Sequence, residues 1–224
     1  MGNPAAVHNR RMHAAAIGLS FRAACNHRAQ ADPGTGTGVD SGTEVVNITE
    51  PAMSDTVQLL NAALIQHILN AAQESDRGRM NHNFHANAAS NPHRFLNVMC
   101  RGTYVTPHRH LEPPKRESFL ILHGEVLFLL FDDDGRVTES HVLRGVDRGV
   151  GPFGIDIVAG LWHSLAVLSE HAVCYEVKAG PWDPATDKEF APWAPSEGDA
   201  ACSDYLAQLL AGQDSTIAPN PGPT

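Results

Sequence analysis

Basic residues are the first thing this chain is short of. Sixteen Lys and Arg stand against 25 Asp and Glu, a formal net charge of −9 with the histidines neutral. A protein that neutralises phosphates needs a basic face, so nucleic acid is excluded as a partner. Long hydrophobic runs are missing too. None approaches the roughly 20 apolar residues that span a bilayer, so no membrane association is expected. Cysteine is sparse, and Cys25, Cys100, Cys174 and Cys202 show no CxxC spacing. Cys100 and Cys174 fall in apolar, strand-like runs, which reads as buried thiols in a reducing, cytoplasmic compartment. Internal repeats are absent as well.

What is present is a globular middle with loose ends. Hydrophobic residues make up 42% of the 224, enough for one sizeable core, while 15 prolines and 19 glycines call for many turns. Residues 1–52 differ from the rest. "RRMHAAAIGLSFRAACNHRAQ" carries arginine and alanine without a single acid, and "ADPGTGTGVDSG" is low-complexity linker. Such a segment fits either an organelle transit peptide or an over-long start ahead of Met53, and it is expected to be disordered and dispensable. The second reading is preferred because a helical pattern begins at Met53. Ser54 or Asp55 can cap it, and Val57, Leu60, Leu64, Ile68 and Ala71 recur at helical spacing.

The period then shortens. Residues 53–92 form a helical lead-in that ends in "NHNFH", and residues 93–181 are short β-branched and aromatic runs parted by Gly, Pro and Asp. "FDDDGRV" predicts a hairpin, since Asp-Gly accepts the positive φ of a tight turn. Many short strands with few helices between them predict an antiparallel barrel or sandwich. Residues 182–212 read as an extended stretch followed by a short helix in "AACSDYLAQLLAG", and residues 213–224 as a frayed tail.

The 13 histidines are the first hint of metal chemistry. In "GTYVTPHRHLEPPKRESFLILHG", His108 and His110 stand one residue apart, so on a strand both project to one face and can meet the same ion. Glu117 opens the following strand, and His163 in "VAGLWHSL" opens a later one after a glycine turn. Three neutral imidazoles and a carboxylate leave exchangeable positions on a divalent first-row metal. Two exposed histidines flanking a proline by chance would be the bland alternative for an isolated HxH. Tyr104 and Thr106 share strand parity with the pair and are expected to line the same cavity, Tyr104 as a candidate acid. Glu176 in "CYEVK" is a candidate general base or an edge-strand charge. His82 and His85 could close over the site or simply cap a turn. Lys115 and Arg116 could greet an anion, although an exposed, solvated loop is favoured. "DKEFAPWAPSEGD" should run extended across the surface.

These residues also carry a family likeness. Gly102, His108, His110, Glu117 and Gly124 are spaced like the first cupin motif, and Gly154 to His163 resembles the second. "NHNFH", "GTYVTPHRH", "LFDDDGRVTE", "YEVKAGP" and "FAPWAPSEGD" together resemble the WbuC family of cupin-fold metalloproteins, over about residues 55–212. The resemblance implies a mainly β fold, a single cupin barrel of jelly-roll type with an N-terminal helix and a short C-terminal one. It implies His108, His110, Glu117 and His163 as ligands to one divalent transition metal, Fe, Mn, Zn or Ni. Six residues separate His110 from Glu117 where cupins commonly have three or four, which leaves Glu112 as the alternative carboxylate. Val158 and Val167 replace the proline and asparagine usual in the second motif, so mechanism transfers less readily than fold.

The expected function is Lewis-acid chemistry, of isomerase, epimerase or lyase type, on a small oxygen-rich molecule of sugar or sugar-acid kind. The alternatives are an iron-dependent dioxygenase and a non-catalytic small-ligand or metal-binding module. A homodimer is expected as well. In "EVLFLLF" both parities are apolar, so one face of that strand needs cover from a second copy or from the Met53 helix.

Overall fold

The structure, a computed structural model, describes residues 57–217. The proposed caps Ser54 and Asp55, the segment 1–52 and Cys25 lie outside them. In chain order the elements begin with helix α1 (Ala62–Glu74), then strands β1 (Arg79–Asn83), β2 (His93–Cys100), β3 (His108–Arg109) and β4 (Glu117–His123). β5 (Glu125–Phe131), β6 (Val137–Arg144), β7 (Gly154–Ile157), β8 (Trp162–Val167), β9 (His171–Lys178) and β10 (Glu189–Phe190) follow, with helices α2 (Cys202–Ala211) and α3 (Asp214–Ile217) at the end.

All strand pairs are antiparallel and fall into two five-stranded sheets, ordered β1-β2-β9-β4-β7 and β10-β3-β8-β5-β6. Without the edge strands β1 and β10, this is the strand order of a jelly roll. The fold is therefore mainly β and of jelly-roll type, with the strands making two facing sheets and not one closed hydrogen-bonded barrel. "FDDDGRV" is the β5–β6 hairpin, with Gly135 at φ 84°.

Three apolar clusters hold four layers together. Between the sheets lie Met99, Phe119, Ile121 and Cys174 of the first sheet against Val126, Phe128, Leu143 and Leu165 of the second. The outer face of the first sheet presents Leu96, Val98, Cys100 and Val173, and α1 covers it with Leu64, Ile68, Leu69 and Ala72. Each fully buried Leu or Ile contributes about 1.5–3 kcal/mol. α1 starts later than its apolar pattern predicts. Asn61 is the N-cap, its Oδ1 accepting from the Leu64 N–H at 2.9 Å, and Val57 and Leu60 are exposed. The reason is tertiary: side chains left this exposed gain little burial from a helical turn, so periodicity alone does not make them helix.

The outer parity of β5 is the other case. Leu127, Leu129 and Phe131 pack with Trp162, Ala166, Ala191 and Leu206, beneath α2 and the segment that precedes it. The apolar face that suggested a second copy, or the lead-in helix, is thus covered by the chain's own C-terminal region. "NHNFH" also departs from the helical lead-in expected there, since Asn81, His82 and Asn83 belong to β1, which pairs with β2.

Candidate metal centre

The two sheets bring their ligand-bearing strands together at one place. His108 on β3 is the register partner of His163 on β8, which in turn faces Leu130 on β5. Glu117, at the start of β4 in the opposite sheet, is the partner of Lys178 and Ile157. His110 lies just past β3, whose brevity makes the alternation argument only partly apt. Two glycines set these strands. Gly160 (φ 84°) turns the chain into β8. Gly124 (φ 79°) joins β4 to β5 where a Cβ would come within 2.3 Å of the His171 carbonyl oxygen.

The side chains of His108, His110, Glu117 and His163 converge, all four buried, with one potential ligand atom from each lying within 4.8 Å of the others. Donors bonded to one first-row ion at about 2 Å lie no more than ~4 Å apart, so the four stand near ligating separation. Each imidazole is oriented by its other nitrogen. His108 Nδ1–H donates to the Thr106 carbonyl at 2.9 Å, His163 Nδ1–H to the Leu161 carbonyl at 2.9 Å, and His110 Nδ1–H to the Asp187 carbonyl. A carbonyl oxygen only accepts, so in each neutral ring the proton is on Nδ1 and Nε2 carries a lone pair.

Those lone pairs point at another acceptor. His110 Nε2 is 3.1 Å from Glu117 Oε1, and His163 Nε2 is 2.9 Å from Oε2. Among the described residues, His110 Nε2, His163 Nε2 and Glu117 Oε2 are buried without a hydrogen-bond partner. Burial opposes the charge on Glu117, yet the approach of His110 and His163 holds its carboxyl well below the usual range. Burial first, then the charges of Lys188 and His163, keeps His108 far below the ordinary imidazole range and so neutral. A divalent cation satisfies all four donors at once, and the residues present fit one.

Glu112 does not take part; it is exposed in the loop between β3 and β4, whereas Glu117 is 1% exposed.

Charged groups surround the cluster. Lys178 Nζ is 3.8 Å from Glu117 Oε1 and 2.8 Å from Asp187 Oδ2, and Lys115 Nζ is 2.7 Å from Asp187 Oδ1. Glu176, buried near Glu117, is pushed up to about 8 by burial and by that neighbouring charge. Of the two carboxyls, Glu117 bears the charge and Glu176 the proton. A cavity of about 810 Å³ reaches this assembly, its walls including Glu176, Lys178, Asp187, Lys188, Phe95 and Asn97.

A family model and three solved structures align with parts of the chain. A family model described as a domain of unknown function (DUF6016) matches residues 60–143. Among solved structures, the capsular polysaccharide assembling protein CapF from Staphylococcus aureus aligns at 20% identity and TM-score 0.43, over 52% of this chain and 30% of that one. Oxalate oxidase in complex with the substrate analogue glycolate aligns at 15% and 0.41, over 62% and 75%. KdgF from Halomonas sp. aligns at 15% and 0.36, over 48% and 82%. The match spans about a third of the length of CapF.

Other residues singled out in the sequence fall in different places. Tyr104 belongs to the apolar cluster under α2; its hydroxyl donates to the Pro195 carbonyl at 2.9 Å, and burial raises its pKa. It is not among the groups gathered round Glu117. The parity argument fails because residues 103–107 are not in a strand. His82 pairs with Leu96, on the parity that faces α1, whereas His85 lines the cavity and stacks on His93 with ring centroids 3.9 Å apart. Lys115 is buried in the ion-pair network and is not part of a solvated loop; Arg116 is exposed and pairs with Asp156. Residues 182–200 are more than a surface strap. Asp187 is buried against the site, Lys188 lines the cavity, and Phe190 pairs with His108.

Asp187, Lys178 and Lys188 were not identified from the sequence. The charged run "DKEF" reads as solvated, and its one signal is position, directly ahead of a segment with apolar Phe190, Ala191 and Trp193.

Proposed function

We propose that the protein binds one divalent first-row metal through His108, His110, Glu117 and His163, and acts on a small oxygen-rich molecule in the adjoining cavity. The observation that carries this reading is acceptor facing acceptor: imidazole lone pairs, fixed by Nδ1 donation to carbonyls, meet a buried carboxylate at 2.9 and 3.1 Å. When bound, such an ion supplies Lewis acidity toward a carbonyl or hydroxyl oxygen.

The chain's own residues would do the rest. A cavity near 810 Å³ is within the usual range for a small-molecule site. Asn81, Asn83 and Asn97 lie on its walls, and Asn97 Oδ1 is buried without a partner among the described residues, so amides are available to a polyol. Glu176, protonated beside Glu117, can hold a proton for a substrate oxygen and take it back, the role suited to isomerase, epimerase or lyase chemistry. A sugar or sugar acid fits this lining. The several motifs that resemble those of the WbuC family support the same carbohydrate reading.

The test is elemental analysis of protein purified without a metal-affinity step, then stripped and reloaded with Fe²⁺, Mn²⁺, Zn²⁺ or Ni²⁺. One ion per chain is expected, with occupancy reduced in His163→Ala and unchanged in Glu112→Gln. No retention of any of the four metals by the folded protein would refute the site.

A further inference from the structure

The cavity extends well beyond the candidate metal centre, and its outer wall has no assigned work. Residues paired in register across a sheet share a face. Cys174 lies in the core between the sheets, so its partner Asn97 on β2 faces the same side. So does Asn81 on β1, the partner of Asn97. One row along, Glu176 pairs with Phe95, and Phe95 with Asn83. All five of these partners line the cavity, which therefore runs along the inner face of the first sheet from β9 to the edge strand β1. Glu117 opens β4, on the other side of β9 from β1. Neighbouring strands lie about 4.8 Å apart, which puts β1 roughly 14 Å from β4. That span is longer than one sugar ring, and a volume near 810 Å³ is in the upper part of the usual range for a small-molecule site.

The wall at the β1 end suits a neutral, hydroxylated group. The side chains of Asn81, Asn83 and Asn97 make no hydrogen bond among the described residues, and Asn97 Oδ1 is buried in that state. A buried polar atom left unpaired is costly, so a hydroxyl presented there is bound with gain. β1 lies outside the jelly-roll strand order, and its register with β2 fixes Asn81 and Asn83 on a strand and not on a loop. Usable charge is missing from this end. Arg77 and Arg79 line it too, but both are committed to Glu197, at 2.5 and 2.6 Å, so neither is free to take a phosphate. Trp182 adds an aromatic surface to the lining, 45% exposed and tied by its backbone N–H, which donates to the Ala88 carbonyl at 2.8 Å. Amides for hydroxyls and an aromatic face for C–H groups are the two surfaces a sugar ring needs.

We propose that the molecule bound in this cavity has at least two sugar units, one at the metal centre and a second, uncharged one on the β1 wall, held by Asn81, Asn83 and Asn97 with Trp182. The substrate class is then a disaccharide or larger glycan and not a free monosaccharide. This narrows the substrate class and rests on the metal-centre reading above.

The probes are glucose, galactose and mannose set against maltose, cellobiose, lactose and mannobiose, titrated calorimetrically into protein loaded with whichever of the four ions it retains. UDP-glucose is the further ligand, a second unit of nucleotide kind. At least one disaccharide should bind roughly tenfold or more tightly than its constituent sugars, as added amide hydrogen bonds allow. Asn81→Ala combined with Asn83→Ala should remove most of that advantage while keeping metal content and melting temperature, because both residues are exposed on an edge strand. Trp182→Ala should weaken the same disaccharide, and Trp182→Phe should retain most of its binding. Absence of disaccharide binding, equal binding of mono- and disaccharides, or UDP-glucose exceeding every disaccharide would overturn the proposal. So would an advantage that survives the double variant, because the second unit would then sit elsewhere. Failure of the underlying reading is separate: it shows as wild-type protein that retains none of the four ions, before any sugar is added.

Discussion

Replacing Glu117 by glutamine should move the protein in opposite directions with and without metal. In the metal-free state, two imidazole lone pairs face the carboxylate at 3.1 and 2.9 Å, and each ring's proton is already committed to a backbone carbonyl. A glutamine amide has N–H groups to donate to one of those lone pairs, and it brings no buried charge. An unmet buried acceptor costs about 1–3 kcal/mol. Chelator-treated Glu117→Gln at pH 8 should therefore be more stable than wild type by about that amount, at roughly 2–4 °C per kcal/mol for a domain of this size. With metal the order reverses. Wild type at a hundredfold excess over its dissociation constant gains about 2.7 kcal/mol, whereas the variant has lost the one anionic ligand. Scanning calorimetry of stripped protein, with and without added Zn²⁺ or Mn²⁺, measures both effects. A variant that melts below wild type without metal, or that keeps the full metal-dependent rise, would refute the acceptor-against-acceptor reading.

Two further outcomes test the surroundings. Ile68 is 3% exposed and packs α1 onto Leu96, Val98 and Val173, so Ile68→Ala should cost about 2–5 kcal/mol, and an unchanged thermal midpoint would mean the helix is not docked. Burial and the Glu117 charge raise Glu176 from 4.5 to about 8. The folded state thus binds that proton more tightly than the unfolded chain, and its contribution to stability is full below 4.5 and fades as pH rises toward 8. In metal-free protein, Glu176→Gln should flatten the fall in melting temperature between about pH 5 and 8, and a slope equal to wild type would show that Glu176 does not hold the proton.

Much of the site was legible in the sequence, because its ligands are tied to local features. His108 and His110 are two residues apart, Glu117 leads straight into β4, and His163 follows the turn at Gly160. A short-range pattern of that kind needs only strand geometry to be read, and it favours Glu117 over Glu112 because one opens a strand and the other lies in a loop. Strand alternation likewise marked β5 as apolar on both sides, and the Asp-Gly turn marked the β5–β6 hairpin.

Tertiary structure decided what local pattern could not. Tyr104 has the parity of a site residue, but irregular backbone before β3 breaks the alternation and leaves it under α2. Whether β5 is covered by a second copy or by the chain itself depends on where α2 packs, which no spacing within β5 encodes. Asp187 lies 70 residues from Glu117 and looks like part of a solvated charge run. It is buried because β10 pairs with β3 and carries the segment against Lys115 and Lys178. Desolvated charges of this kind are stable only in each other's company. The sequence by itself determined which residues could ligate a metal; the packing of β10 and α2 determined which charges surround them and which side chains are buried elsewhere.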